Sequence, residues 1–355
     1  MAVFPASGLI LPAILAFALC TPAFTQPAAA ESPLQLGLPT DNEAIFSSDP
    51  SKFYMYTHRT FEGVSSRPWT AGRYGFVRNQ QRASNSIIFT RFHEGIDICP
   101  VHRDENNQPL DDIRAIADGL VVYTNQVSGR SNYGNYIVVK HDWGDGPFFS
   151  LYAHLREVSI APRTEVKGGD ILGKLGYTGS GIDLERAHVH LEFDMMLSER
   201  FEIWHDKYFR SPNHHRIYNG LNLSGMDIAG LFHSHRENPA LTLPEFVRMA
   251  GAYYKVAIPV TNRQALPITN RYPWLEQGRE PGQFPAAWEI TLSSSGLPME
   301  IRPYLKKVTS PTVTWVKDSP VSHSYNTLSR LSGIGAKAKL TNSGVLYVQL
   351  LSDTF

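Results

Sequence analysis

Glycine and proline interrupt this chain so often that long helical bundles are disfavoured. The 355 residues include 27 Gly and 24 Pro, and both residue types mark turns and are unfavourable inside helices. Between residues 85 and 200, short β-branched and aromatic runs alternate with Gly or Asp turns. These runs are residues 117–123, 135–141, 148–155, 169–173 and 188–193. We therefore predict a mainly β protein whose central domain, residues 85–200, is an antiparallel sheet or barrel.

The balance of charges argues against a function in binding polyanions. Lys and Arg together number 33, and Asp and Glu together also number 33. No net field therefore attracts the protein to nucleic acid or to an anionic membrane surface. Hydrophobic residues make up 42% of the chain, which is sufficient for the core of one large domain or two modest ones. Nucleic acid is not among the predicted partners.

The first 30 residues have the pattern of a secretory signal peptide. They carry no charged side chain, are apolar from residue 8 to residue 20, and end in small residues before Glu31. The apolar run is shorter than the ~20 residues of a membrane-spanning helix. The chain has only two cysteines, Cys20 and Cys99, so a disulfide framework is excluded. We predict an exported protein, periplasmic or extracellular, with no stable membrane span after processing.

Changes in composition divide the chain into five segments. They are the signal peptide (1–30), an N-terminal lead-in (31–84), the central domain (85–200), a loop-rich extension (201–242) and a small β-rich C-terminal module (243–355). Residues 211–240 of the extension are expected to be loops. In the C-terminal module we expect one helix at residues 243–255 and a hairpin at residues 337–350, with its turn at Asn342-Ser343-Gly344.

Histidines and carboxylates recur at intervals of two in two of the predicted strands. Side chains at positions i and i+2 of a strand lie on the same face. His93 and Asp97 therefore share a face, with Gly95 leaving open space over them. The second group consists of His188, His190 and Glu192. Two histidines and an aspartate can fill three positions of a tetrahedral zinc site and leave the fourth for water, as a catalytic zinc requires.

Three other patterns have a structural interpretation instead. His141 and Asp145 flank a turn that would not aim both side chains at one point. His233 and His235 are expected to be solvated histidines in a loop. Residues 168–175 nearly match a phosphate-binding loop, but a leucine stands where Ser or Thr must hold magnesium. Nucleotide binding is therefore not expected.

Five blocks of sequence occur in a fixed order along residues 85–195. They are residues 92–98, 134–141, 152–155, 169–179 and 188–192. This ordered series resembles the lysostaphin-type zinc metallopeptidases. The resemblance implies an antiparallel lysostaphin-type catalytic domain that binds one zinc ion per chain. The implied zinc ligands are His93, Asp97 and His190, and the implied catalytic histidines are His154 and His188.

The resemblance also implies an activity, namely hydrolysis of peptide bonds in the stems or cross-bridges of peptidoglycan. Zinc-activated water would attack the peptide carbonyl, while His188 accepts a proton and His154 supports the oxyanion or the leaving amine. These two roles could be exchanged. Glu192 either orients a histidine of the site or is a solvated carboxylate at the end of a strand.

Two other functions stay open. One is a non-catalytic lysostaphin-like regulator of a cell-wall hydrolase, and the other is a zinc peptidase that acts on secreted proteins. The chain also departs from the family at residues 180–186, where the family usually has a shorter link. We expect this loop to border the substrate groove.

Overall fold

The computed structural model describes residue 1 and residues 34–260, 265–280 and 282–355. The predicted signal peptide therefore lies outside the described residues, apart from Met1. Within the described ranges, no helix combines the length and the apolar character needed to cross a membrane.

Two antiparallel hairpins precede the central sheet. β1 (Arg59–Phe61) pairs with β2 (Val64–Ser66), and β3 (Gly75–Ala83) pairs with β4 (Ser86–His93). Because β3 lies in the predicted lead-in and β4 in the predicted central domain, this second hairpin joins the two segments. The lead-in also contributes to the hydrophobic core, in which Phe53 is fully buried.

The central part of the chain forms two antiparallel sheets. In chain order, the strands are β5 (Ile96–Ile98), β6 (Asp112–Arg114), β7 (Gly119–Asn125), β8 (Tyr136–Asp142), β9 (Pro147–Ala153), β10 (Glu157–Val158), β11 (Glu165–Val166), β12 (Ile171–Lys174), β13 (Val189–Met196) and β14 (Leu223–Gly225). The larger sheet has the order β11-β7-β8-β9-β13-β14, with β5 beside β13 as its seventh strand. Strands β10, β12 and β6 form the smaller sheet. The predicted mainly β, antiparallel fold is confirmed.

Strand β13 is buried on both of its faces, and its sequence explains how. Val189, Leu191, Phe193 and Met195 belong to the main hydrophobic cluster, and all four are fully buried. Burying each of the larger side chains contributes about 1.5–3 kcal/mol to the stability of the fold. The alternate positions, from His190 onward, therefore point to the opposite face of the sheet. This is the face that carries the polar site described below.

Helices and a third sheet follow the central sheets. The helices are α1 (Phe201–Tyr208), α2 (Ile228–Glu237), α3 (Leu243–Met249), α4 (Pro267–Arg271) and α5 (Asn342–Ser352). The strands are β15 (Tyr254–Pro259), β16 (Ala287–Leu292), β17 (Pro298–Tyr304), β18 (Thr312–Val316), β19 (Leu331–Ser332) and β20 (Lys339–Leu340). The four-stranded sheet has the order β17-β16-β15-β18, and β19 pairs with β20. One buried cluster includes residues from all of these regions, so the C-terminal part packs on the central sheets.

The hairpin predicted at residues 337–350 is wrong, because most of this segment forms helix α5. Thr341 caps the helix by accepting a hydrogen bond from the Gly344 N–H. Tyr347, Val348 and Leu351 then recur at helical spacing and are buried. Gly344, the glycine of the predicted turn, therefore lies in the first turn of helix α5.

Two further local predictions are also corrected. Residues 211–240 are not all loops, since β14 and α2 lie there and Asp227 caps α2 by accepting from the Gly230 N–H. The helix predicted at residues 243–255 ends at Met249, and strand β15 begins at Tyr254. Gly251 has φ +76°, a left-handed conformation that ends a helix readily.

Candidate metal centre and groove

Strand β13 positions His190 between two neighbouring strands that carry the other candidate residues. His190 is paired with Asp97 of β5 on one side and with Ala153 of β9 on the other. His154 directly follows Ala153 and has φ +65°, a conformation that a non-glycine residue adopts at some energetic cost. The strand pairing therefore brings residues that are far apart in sequence to one place.

The backbone arrangement that places His93 in the site differs from the predicted one. His93 and Asp97 do not lie on one continuous strand, because β4 ends at His93 and β5 begins at Ile96. Gly95 also does not provide open space for an ion. A Cβ atom at Gly95 would overlap the carbonyl oxygen of Leu191 in β13. The glycine instead permits close backbone contact with β13.

Three candidate ligand atoms converge at the centre of the site. His93 Nε2 lies 3.0 Å from His190 Nδ1 and 3.1 Å from Asp97 Oδ1, and the distance from Asp97 Oδ1 to His190 Nδ1 is 2.9 Å. All three residues are buried. In the part of the chain that the structure describes, they are the one group of three or more such residues whose ligand atoms converge in this way.

The outer nitrogen of each histidine faces an acceptor. His93 Nδ1 lies 2.8 Å from the Arg73 carbonyl oxygen, and His190 Nε2 lies 2.7 Å from Glu192 Oε1. His188 Nδ1 and His154 Nδ1 lie 2.6 and 2.9 Å from the carbonyl oxygens of Arg186 and Thr178. Because these partners can only accept, the outer nitrogens donate their protons. On a neutral ring, the inner nitrogen is therefore left with a lone pair.

This donor set fits a divalent cation. When the rings are neutral, His93 Nε2, His190 Nδ1 and His188 Nε2 direct lone pairs toward Asp97 Oδ1, and positive charge stabilises such an arrangement of acceptors. The first two nitrogens and Asp97 Oδ1 are the ligand types that zinc binds. In a tetrahedral site with ligands about 2.0 Å from the metal, ligand atoms lie about 3.3 Å apart. The observed separations of 2.9–3.1 Å are close to that value.

The electrostatics of the site also favour positive charge near His190. Burial opposes its protonation, but the hydrogen bonds to Asp97 and Glu192 outweigh burial and raise the pKa of His190 to about 10. Burial would also raise the pKa of Asp97, but His93, His188 and Arg78 hold it well below its usual value. Burial lowers the pKa of His93 to about 4. A metal that binds His190 Nδ1 therefore replaces a proton there.

Glu192 is not solvated, so that interpretation is wrong. It is 2% exposed, and besides His190 it accepts a hydrogen bond of 2.8 Å from the hydroxyl of Tyr133. A carboxylate that accepts from the outer nitrogen of a ligand histidine fixes both its tautomer and its orientation. Sequence reasoning did not find Tyr133, because no spacing rule links it to β13.

His154 and His188 lie beside the ligand cluster. Their ring centroids are 4.8 Å apart, and the His154 ring is 5.7 Å from that of His190. His188 Nε2 is 3.4 Å from Asp97 Oδ1. Burial lowers the pKa of His154 well below its usual value, so this histidine is neutral at physiological pH. The structure thus brings all five predicted site residues together.

A groove of about 1750 Å³ passes over these five residues. The β3–β4 hairpin lines one part of it, and Ser180, Gly181, Ile182 and Arg186 line another. The expectation that the 180–186 loop borders the groove is confirmed.

The remaining histidines with site-like spacing lie elsewhere. His141 is fully buried, with Nδ1 2.7 Å from the Asp118 carbonyl oxygen and Nε2 2.7 Å from Ser150 Oγ. His233 and His235 lie on helix α2 and not in a loop. His235 Nε2 lies 2.6 Å from the Leu34 carbonyl oxygen, so this histidine is not simply solvated.

The segment that carries all five site residues matches a known family. The model of peptidase family M23 matches residues 91–200. This segment is therefore similar to peptidase family M23. The predicted resemblance is confirmed, and the matched segment corresponds closely to the five sequence blocks.

Curated relatives share only part of their length with this chain. The chain is 34% identical over 81 residues to the outer membrane antigenic lipoprotein B of Haemophilus influenzae, covering 23% of this chain and 18% of that protein. It is 37% identical over 78 residues to the cell division protein DipM of Caulobacter vibrioides, covering 22% of this chain and 12% of that protein. The chain therefore spans less than a fifth of either relative.

Among solved structures, the catalytic domain of the antimicrobial peptidase lysostaphin from Staphylococcus simulans is similar to this chain. The sequence identity is 22%, the match covers 39% of this chain and 79% of that chain, and the TM-score is 0.24.

Proposed function

We propose that this protein is an exported zinc-dependent endopeptidase that hydrolyses peptide bonds in peptidoglycan cross-links. The proposal rests on one observation, which is that three metal-ligand atoms and two further histidines meet beside a groove in the segment that matches peptidase family M23. The ligands would be His93, Asp97 and His190, and the catalytic residues would be His154 and His188. Peptidoglycan as substrate is inferred from the family resemblance, and export from the pattern of the first 30 residues.

The chemistry of the proposed site depends on which atoms hold protons. A zinc ion held by His93 Nε2, Asp97 Oδ1 and His190 Nδ1 would supply a Lewis acid and a bound water of lowered pKa. His188 keeps its proton on Nδ1, where it donates to the Arg186 carbonyl, so its Nε2 can accept a proton from the attacking water.

His154 has the same tautomer, and this limits its role. Its Nδ1 proton is donated to the Thr178 carbonyl oxygen, so Nε2 is an acceptor while the ring is neutral. His154 can therefore stabilise an oxyanion or protonate the leaving amine only after it has taken up a proton. Both histidines can act first as a base, which is why their roles are interchangeable in this geometry.

One paired experiment tests the proposal. Zinc per chain is measured for the wild type, His190→Ala and His233→Ala, and each protein is incubated with purified peptidoglycan. New amino termini are detected by mass spectrometry. His233 is a suitable control because it is an exposed histidine on α2, outside the groove. We expect one zinc and cleavage for the wild type and the control, and loss of both in His190→Ala.

Other results would contradict the proposal. Undiminished cleavage by His190→Ala would remove that residue from the site. A protein that binds no zinc and cleaves nothing, yet activates a cell-wall hydrolase, would be a regulator. Cleavage of peptides but never of peptidoglycan would indicate a peptidase that acts on secreted proteins.

A further inference from the structure

The β3–β4 hairpin brings an arginine into the candidate metal centre. Arg78 Nη2 contacts Asp97 Oδ2 and lies 3.1 Å from His93 Nε2. Its Nε donates to the Ala71 carbonyl oxygen over 2.9 Å, which anchors the guanidinium from the other side. The side chain is 23% exposed and lines the groove. Two of the three candidate ligands therefore contact the same cationic group.

A local irregularity in strand β3 directs Arg78 toward the site. Phe76 pairs with Phe92, and Arg78 pairs with Arg91, so Val77 is an extra residue in β3. Such a β-bulge changes the direction in which the following side chain points. The bulge is held by a hydrogen bond of 2.8 Å from Arg59 Nη2 to the Val77 carbonyl oxygen.

The residue after Arg78 is also in an unusual conformation. Asn79 has φ +55°, and its Nδ2 donates to Thr90 Oγ1 over 2.8 Å. Left-handed conformations of non-glycine residues cost energy and occur where the surrounding structure requires them. The hairpin thus departs from regular strand geometry on both sides of Arg78.

The contact with His93 determines what this arrangement does. His93 donates its Nδ1 proton to the Arg73 carbonyl oxygen, so its only lone pair in the ring plane is on Nε2. An N–H of Arg78 is directed at that same lone pair. One lone pair cannot accept an N–H and bind a metal at the same time. The positive charge of Arg78 also opposes a cation a few ångströms away.

We propose that Arg78 is a positioning residue of the metal centre, an internal cation that competes with the metal for His93 and Asp97. This inference rests on the metal site of the proposed function. Arg78 keeps the ligand cluster together and charge-compensated, and it lowers both the affinity of the site for zinc and the rate of zinc binding. Binding of zinc by His93 would require the guanidinium to leave Nε2.

Zinc affinity measured on the full chain tests this role independently of peptidase activity. The dissociation constant and the association rate are obtained by competition with a chromogenic chelator for the wild type, Arg78→Met, Arg78→Gln, Arg78→Lys and Arg91→Met. Arg91 is a matched control because it is exposed and pairs with Arg78 across the same hairpin. Arg78→Gln provides a second neutral variant if Arg78→Met does not fold.

We expect the neutral Arg78 variants to bind zinc at least about tenfold more tightly and faster than the wild type, because a positive charge near the ligands is removed. Arg78→Lys, which keeps the charge, and Arg91→Met should stay within about twofold of the wild type. A merely structural role of Arg78 predicts weaker zinc binding on its removal, which is the opposite change.

Three outcomes would overturn the inference. The first is that the neutral Arg78 variants bind zinc as tightly as the wild type or more weakly. This outcome requires that the wild type binds one zinc ion and that His190→Ala does not. In that case the proposed function survives. An equal gain in Arg91→Met would show that any charge in the groove has this effect. Absence of zinc from all variants would overturn both the inference and the proposed function.

Discussion

Glu192 fixes the direction in which His190 presents its lone pair. Its carboxylate accepts the Nε2 proton of His190 and the hydroxyl proton of Tyr133, and it does so while almost completely buried. A buried carboxylate with two donors has little freedom to rotate. The orientation of the candidate ligand therefore depends on a residue that would not itself touch the metal.

Replacing Glu192 with Gln should weaken zinc binding by about 10- to 100-fold, the usual effect of losing such a partner. The amide keeps the size of the side chain but removes the negative charge that favours Nε2–H on His190. Chelator competition measures the effect. Tyr133→Phe is the control, since it removes one donor to Glu192 and keeps the charge, and its loss should be smaller. An affinity within twofold of the wild type in Glu192→Gln would refute this role.

At the scale of elements, strand pairing with β13 determines where the site forms. Gly95 lies in the bend after β4 and close to strand β13, since a Cβ there would meet the Leu191 carbonyl oxygen. Backbone atoms cannot yield to a methyl group as a flexible side chain can. The bend between His93 and Asp97 therefore requires glycine.

We predict that Gly95→Ala lowers the free energy of unfolding by about 1–3 kcal/mol or more, the cost of overpacking a tightly packed region. Denaturant unfolding measures this value. Gly129→Ala is the matched control, because no heavy atom outside the local chain lies within 4 Å of a Cβ at Gly129, and its effect should stay near 0.5 kcal/mol or below. Equal stability of the two variants would contradict the packing argument.

The spacing of residues predicted one half of the site correctly and the other half for the wrong reason. In β13 the interval of two does place His190 and Glu192 on one face, because β13 is a regular strand. His93 and Asp97 converge because the chain bends at Gly95 between β4 and β5 and because β5 pairs with β13. Neither the bend nor the pairing can be inferred from residue spacing. Arg78 reaches the site through a β-bulge, which leaves no recognisable pattern in the sequence.

Local signals were least informative in the C-terminal part of the chain. Helix α5 carries Asn342-Ser343-Gly344 at its start, and this composition also favours a hairpin turn. The burial of Tyr347 and Leu351 against the rest of the molecule decides in favour of the helix. Such tertiary contacts override local preference, and they are not visible before the fold is known.

At the scale of the whole molecule, a buried histidine outside the site links stability to pH. His141 is fully buried, and burial lowers its pKa to about 4, although its contacts with Asp118 oppose the shift. In the unfolded chain a histidine has a pKa of about 6.5. The unfolded chain therefore takes up a proton at a higher pH than the folded protein does. The stability that comes from a neutral His141 is complete above about pH 6.5 and is lost as the pH falls toward about 4.

This difference in pKa corresponds to a loss of about 3 kcal/mol between neutral and acidic pH. Unfolding free energies measured from pH 7 to pH 4 should fall less steeply for His141→Asn than for the wild type. The exposed His58→Asn variant provides the control and should keep the wild-type slope. A slope unchanged in His141→Asn would show that His141 does not carry this pH dependence.

In the proposed function, a single zinc ion is held by His93, Asp97 and His190. X-ray absorption at the zinc edge of the zinc-loaded full chain measures this coordination directly. We predict four nitrogen or oxygen ligands at about 2.0–2.2 Å, with the outer-shell scattering of two imidazole rings, and a loss of one imidazole in His190→Ala. A sulfur ligand, or a shell of oxygens without imidazole scattering, would contradict the account.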